Sequence, residues 1–141
     1  MGLEFQFFFV HHNKIYIFII MKFLIVLIIL LFVDLVYLSI FGKNFIKLIE
    51  KIQTKKFKLN LVGAIGSYLL IAVGLYYFII QDNKPIFDAF ILGIVLYGVF
   101  DFTNMGLFKD YDLKIGLIDT LWGGTLLATV TFLTYKITSY L

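Results

Sequence analysis

Four apolar stretches, each long enough to cross a lipid bilayer, account for most of this chain of 141 residues. A helix needs about 20 residues to cross a hydrocarbon layer ~30 Å thick, and runs of that size lie at 23–41, 61–80, 86–104 and 115–135. In hydrocarbon, backbone amides must be satisfied without water, so an uninterrupted apolar run of this length reads as a helix. Four crossings leave only short links, and short links make consecutive helices antiparallel neighbours. The expected fold is all-α: an integral membrane four-helix bundle with short loops and no separate soluble domain. Composition agrees, with 62% apolar residues, 15% charged residues and a mean hydropathy of +1.00.

The first apolar run, from Ile15 to Phe41, is longer than one crossing requires and is interrupted by Lys22. Met21-Lys22 reads as a natural start, which makes residues 1–20 an N-terminal extension or a tilted continuation of the helix; the extension is the preferred reading, with 21–141 as the single four-span domain. A cleaved signal peptide fits poorly, because the apolar core is too long and no small-x-small site follows it. Gln6 stands where myristoylation at Gly2 would require Ser or Thr.

The link 42–60 carries Lys43, Lys47, Lys51, Lys55, Lys56 and Lys58 against a single acid, Glu50. Phe45, Ile46, Leu48, Ile49 and Ile52 are spaced as one apolar face, which reads as an interfacial helix whose lysines contact anionic lipid headgroups. Pro85 suits the first position of a helix. Links 42–60 and 105–114 together hold eight of the 12 lysines, and the chain has no arginine. The positive-inside rule then places both links in the cytoplasm and both termini on the opposite side. Lipid headgroups, not nucleic acid, are the expected partners of these lysines. The absence of cysteine excludes disulfides, thiolate metal sites and cysteine nucleophiles. The excess of Ile, Lys, Phe, Tyr and Asn without arginine suggests an AT-rich genome.

Asp34, Asp101 and Asp119 sit in or at the edges of these spans. A carboxylate at membrane depth costs ~3 kcal/mol on the lenient insertion scales, so idle ones are hard to explain. The threading brings all three toward the same face, roughly 5–10 Å below the interface at ~1.5 Å per helical residue, where they can share one pocket. Each has a companion three residues on, which is one helix face: Asp34 with Tyr37, Asp101 with Asn104, Asp119 with Trp122, and Thr103 and Thr120 are adjacent. One reading is structural, the carboxylates accepting hydrogen bonds from Tyr37, Asn104, Trp122 and helix ends. The other is a functional polar cluster.

The segments Asp34-Leu-Val-Tyr37-Leu38, Tyr97-Gly98-Val-Phe-Asp101-Phe-Thr103-Asn104 and Asp119-Thr-Leu-Trp122-Gly123 resemble a family of small predicted membrane proteins of unknown function found in bacteria and large DNA viruses. The resemblance covers residues 21 to about 136. Its most specific part is Asp-x-Thr-Asn followed by Asp-x-x-Trp-Gly, and Tyr37 stands where the family usually has Trp. It implies a four-helix membrane protein without an established activity, and a viral or bacterial source.

Other chemistries recede. His11 and His12 are the only histidines and fall in the extension, so a histidine base or histidine-bound metal within the bundle is not expected. No phosphate-binding glycine loop is present. Gly63-x-x-x-Ser67 and Gly124-x-x-x-Ala128 fit the small-residue pattern for close helix packing, and Gly66, Gly93, Gly98 and Gly123 also fall within spans. Three functions remain. The first is a non-catalytic structural or accessory membrane protein, with no cofactor. The second is a lipid-modifying enzyme whose aspartates hold Mg²⁺ or act as general acid and base. The third is a proton- or cation-coupled carrier, which with four spans would have to act as a homo-oligomer, at least a dimer.

Overall fold

The computed structural model describes residues 2–140, with side chains described from Tyr16 onward. Four helices follow one another: α1 (Gly2–Gln53), α2 (Leu61–Leu75, extended by a π turn over Tyr76–Ile80), α3 (Ile86–Leu107) and α4 (Leu113–Thr138). Each contains a segment long and apolar enough to cross a membrane. The all-α, four-span membrane architecture expected from the apolar runs is therefore the architecture of the chain.

Local chemistry sets the boundaries of the last three helices. Asn60 caps α2, its side chain accepting from the amides of Val62 and Gly63 at 3.0 and 3.2 Å, and Asp112 caps α4 through Lys114 and Ile115 at 2.8 and 3.3 Å. Both satisfy amides that have no partner inside the helix. Pro85 precedes α3 with φ −54°, already close to the helical value. At the far end of α2 the Gln81 amide reaches back five residues to the Tyr76 carbonyl, 2.9 Å away, which widens the last turn. The Tyr135 hydroxyl of α4 then donates to the carbonyls of Lys84 and Ile79 at 2.8 and 3.3 Å, closing that end of the bundle.

The first helix departs from expectation. Span one does not end at Phe41 with a separate interfacial helix behind it; α1 continues unbroken to Gln53. Gly42 is the only breaker in that stretch, and one glycine costs about 1 kcal/mol, too little to end a helix whose far turns are held by burial of Leu48. The part from Tyr16 to Gln53 has 38 residues, about 57 Å at ~1.5 Å per residue, so it overruns a ~30 Å hydrocarbon layer. The assignment of residues 1–20 as an extension concerns mainly side chains outside the described residues; the backbone is helical from Gly2.

α4 is the hub. In its most apolar window 44% of residues are buried, against 22% or less in the other three helices. It packs most extensively on α3 and next on α1, while α2 packs on α1 and meets α4 through its π turn. The core joins Val26 and Leu30 of α1 to Ala72 and Leu75 of α2, Ile79 and Ile80 of the π turn, Ala89 of α3, and Leu126, Leu127 and Val130 of α4. Glycine makes the α3–α4 contact what it is: a Cβ on Gly93 would lie 2.5 Å from the Gly123 carbonyl carbon and 2.8 Å from the Gly124 Cα. Gly124 therefore lies in a true close approach, with Ala128 half-buried one turn later. Gly63 and Ser67 do not: both face outward, a Cβ on Gly63 would meet only Asn60 at 4.0 Å, and the Ser67 hydroxyl bonds back to its own helix at Gly63 and Ala64.

Candidate functional site

The polar cluster lies at the end of the bundle where the 54–60 and 108–112 links meet α1. Lys51 near the end of α1 pairs with Asp110 of the second of these links at 3.4 Å, fixing that proximity.

Asp34 is buried on α1, at 7% exposure. One carboxylate oxygen accepts from the Trp122 indole at 2.9 Å and the other from the Tyr68 hydroxyl. One side chain thereby ties α1 to both α4 and α2. Asp101 on α3 is 2% exposed and is also bonded on both oxygens, by the Tyr111 hydroxyl at 2.6 Å and the Thr120 hydroxyl at 3.1 Å. It ties α3 to α4 and to the link between them. Burial raises the Tyr111 hydroxyl above the ordinary tyrosine value, the bond to Asp101 adds to the rise, and Asn104 opposes it. Asn104 is half-buried and Thr103 exposed, so of that pair only Asn104 reaches the cluster.

Asp119 differs. Among the described residues none donates a hydrogen bond to it, and it lines a cavity of about 380 Å³ together with Asp34, Tyr37 and Tyr97. The rest of that wall is apolar, with Leu38, Phe45 and Ile49 from α1 and Phe57 and Leu59 from the link. The link is brought there by a sharp reversal. Thr54 takes a left-handed conformation, φ 54°, and the Phe57 amide donates to the Glu50 side chain at 2.9 Å, folding the chain back over α1.

The expectation that all three aspartates share one pocket is corrected. Asp101 lines a separate void of about 10 Å³ with Tyr111 and Gly116. The reason is helical geometry: Asp119 and Thr120 are consecutive, about 100° apart around α4 at 3.6 residues per turn, so Asp119 turns to the α1 cavity while Thr120 turns to Asp101. Among the described residues no three carboxylates or imidazoles form a group able to hold a metal ion.

The companions also pair across helices and not along them. Trp122 bonds Asp34, not Asp119. Tyr37 stacks on Trp122 with ring centroids 4.0 Å apart and planes 7° from parallel, and packs its other side on Phe41 at 5.0 Å. Its hydroxyl bonds neither aspartate; it is buried without a partner among the described residues, as are the hydroxyls of Thr131 and Thr134 further along α4. Tyr68 and Tyr111, the strongest donors to the carboxylates, carry no signal in sequence, because neither lies on an aspartate's own face. Tyr97 stands within the quoted motif, yet nothing marked it as a cavity residue.

The basic residues form a second, shallower basin of about 640 Å³, with Lys47 and Lys51 of α1 facing Lys109, Asp110, Asp112 and Lys114. Lys43, Lys55, Lys56 and Lys58 are exposed around the same end.

Residues 19–136 match the model of the family described as predicted membrane protein (DUF2177). No curated protein and no solved structure matches the chain significantly.

Proposed function

The chain belongs to the predicted membrane protein family DUF2177, and from that premise we propose that it is a non-catalytic integral membrane protein, structural or accessory in a cellular or viral membrane. One observation carries the reading: Asp34 and Asp101 are each bonded on both oxygens by side chains from other elements. A carboxylate bonded in this way holds neighbouring helices in register, both of its oxygens engaged by side chains of other elements. Interhelical hydrogen bonds in membranes contribute ~0.6 kcal/mol on average and up to ~1.7, so two bonds give about 1–3 kcal/mol per carboxylate.

Residues 42–60, which include the end of α1, and 105–114 are assigned to the cytoplasm and both termini to the opposite side, from the lysine distribution. Anionic lipids are the assigned partners of Lys43, Lys47, Lys51, Lys55, Lys56 and Lys58. Because the chain has no cysteine, single cysteines at Lys55 and Asp82 report sidedness directly. An impermeant maleimide applied to intact cells should label the Asp82 position and spare the Lys55 position; the reverse pattern refutes the assignment.

A second reading, a lipid-modifying enzyme, is favoured by the placement of Asp119 and Asp34 on one apolar-walled cavity. Thermal unfolding in detergent, with and without Mg²⁺, separates the two. The accessory reading expects Asp34→Asn and Asp101→Asn to melt lower than wild type, with no response to Mg²⁺ in any protein. Variants that keep or gain stability, with wild type alone stabilised by Mg²⁺, would replace it with the enzyme.

A further inference from the structure

We infer that the 380 Å³ cavity is a binding site for the head of an amine-bearing phospholipid, its primary ammonium on Asp119. The cavity is of a size that takes small ligands, about 300–1,000 Å³. It encloses a headgroup and the first methylenes, not two acyl chains. Its polar equipment is asymmetric. Asp34 contributes a carboxylate whose two oxygens are already engaged, whereas Asp119 presents one that no described residue donates to. A cation seated there meets two acids, and no described lysine is paired with either; Lys51 is engaged with Asp110.

The second observation is independent of charge. Tyr37 lies on the same wall, is only 6% exposed, and its hydroxyl is buried without a partner among the described residues. An unsatisfied buried polar group costs ~1–3 kcal/mol, and a headgroup oxygen or amine entering the cavity removes that cost. The ring is fixed by its stack on Trp122, so the hydroxyl is held in place before any ligand arrives.

The occupant is a lipid and not a free amine because of the remaining walls. Leu38, Phe45, Ile49, Phe57 and Leu59 surround the two acids with hydrocarbon, and Leu38 is 39% exposed. A bare hydrophilic amine would be desolvated there with nothing apolar to offset it, whereas a lipid places methylenes on those walls. Lys56 and Lys58, both exposed, flank Phe57 in the link that roofs the cavity. They put positive charge on the residues adjoining the Phe57 wall, the sign that the phosphodiester of an aminophospholipid requires.

Trp122 is the single tryptophan of the chain and touches both Tyr37 and Asp34, so its fluorescence reports the site. The purified protein in a neutral detergent is titrated with short-chain phosphatidylethanolamine, with phosphatidylcholine and phosphatidylglycerol of the same chains, and with soluble ethanolamine. A saturable change is expected with phosphatidylethanolamine, at least tenfold weaker with the other lipids and with ethanolamine. Asp119→Asn should weaken it at least tenfold and Tyr37→Phe several-fold, while Asp101→Asn leaves it unchanged. Gly42→Leu is the second probe: Gly42 lies on the cavity wall and a Cβ there meets only the Leu38 Cβ at 3.8 Å, so the variant should fold, fill the cavity and abolish the response. Equal responses to phosphatidylcholine, an ethanolamine response as strong as that of the lipid, or an unaltered response in folded Asp119→Asn or Gly42→Leu protein would each overturn the assignment.

Discussion

Replacing Gly93 with alanine tests the α3–α4 contact with a single methyl group. The new Cβ would sit 2.5 Å from the Gly123 carbonyl carbon and closer still to its oxygen, and ordinary contact begins near 3.4 Å, so the helices must part locally by at least about 0.9 Å. The obstacle is backbone, which cannot swing aside as a side chain does. A gap of that size forfeits a quarter to a half of each van der Waals well. At ~0.1–0.2 kcal/mol per atom pair, over the ~40 pairs a single buried leucine makes, the loss is about 1–4 kcal/mol. Alanine returns ~1 kcal/mol of helix propensity, leaving a net destabilisation of ~2 kcal/mol, in line with overpacked cores generally. Helix association in membranes rests largely on such contacts, so the loss should not be made good elsewhere. At ~2–4 °C per kcal/mol for a chain near this size, thermal unfolding in detergent should drop by about 4–8 °C. Gly66→Ala is the matched control: its Cβ meets nothing within 4 Å, so it should melt with wild type or slightly above. Gly93→Ala melting together with Gly66→Ala would refute the close approach of α3 and α4.

Two further predictions concern the end of the bundle that carries the polar cluster. The raised Tyr111 hydroxyl gives a signed pH dependence: its contribution to stability is whole below the unfolded tyrosine value near ~10 and is lost as pH rises beyond it toward the higher folded value. Wild type should therefore lose more stability than Tyr111→Phe between neutral pH and the alkaline limit; parallel melting curves across that range would show that Tyr111 does not donate to Asp101. The Lys51–Asp110 pair, with side chains 64% and 57% exposed, should contribute little, so Lys51→Ala should shift stability by less than ~0.5 kcal/mol in physiological salt. A loss above 1 kcal/mol there would mean that the α1 end and the link form a tighter joint than the exposed pair implies.

Much of the fold could be read in the sequence because its signals are local. Pro85 announces one helix start and apolar runs of bilayer length supply the bodies, while the Asn60 and Asp112 caps emerge only with the structure. The clustering of Asp34, Asp101 and Asp119 toward one end was also readable, since it follows from threading direction alone. What escaped depends on rotation about helix axes and on which faces meet. Nothing in the spacing says that Trp122 serves Asp34 on another helix, or that Asp119 and Thr120, neighbours in sequence, face different partners. Small-residue patterns failed for the same reason: Gly63-x-x-x-Ser67 and Gly124-x-x-x-Ala128 look alike, yet only the second lies against a neighbouring helix. Gly42 and the lysines after it resemble a helix end, but burial of Leu48 outweighs one glycine.

The central claim is that the buried carboxylates fasten helices to one another, and a double-mutant cycle between Asp34→Ala, which removes the acceptor, and Trp122→Phe, which removes the donor, tests it most directly. The two side chains are 88 positions apart in sequence and joined by one 2.9 Å bond, so any coupling between them reports that tertiary contact. Unfolding free energies of wild type, both single variants and the double variant should give a coupling of roughly 1 kcal/mol or more, near the upper range for interhelical bonds in membranes. Strictly additive losses, or variants as stable as wild type, would contradict the claim that Asp34 acts as a fastening between α1 and α4.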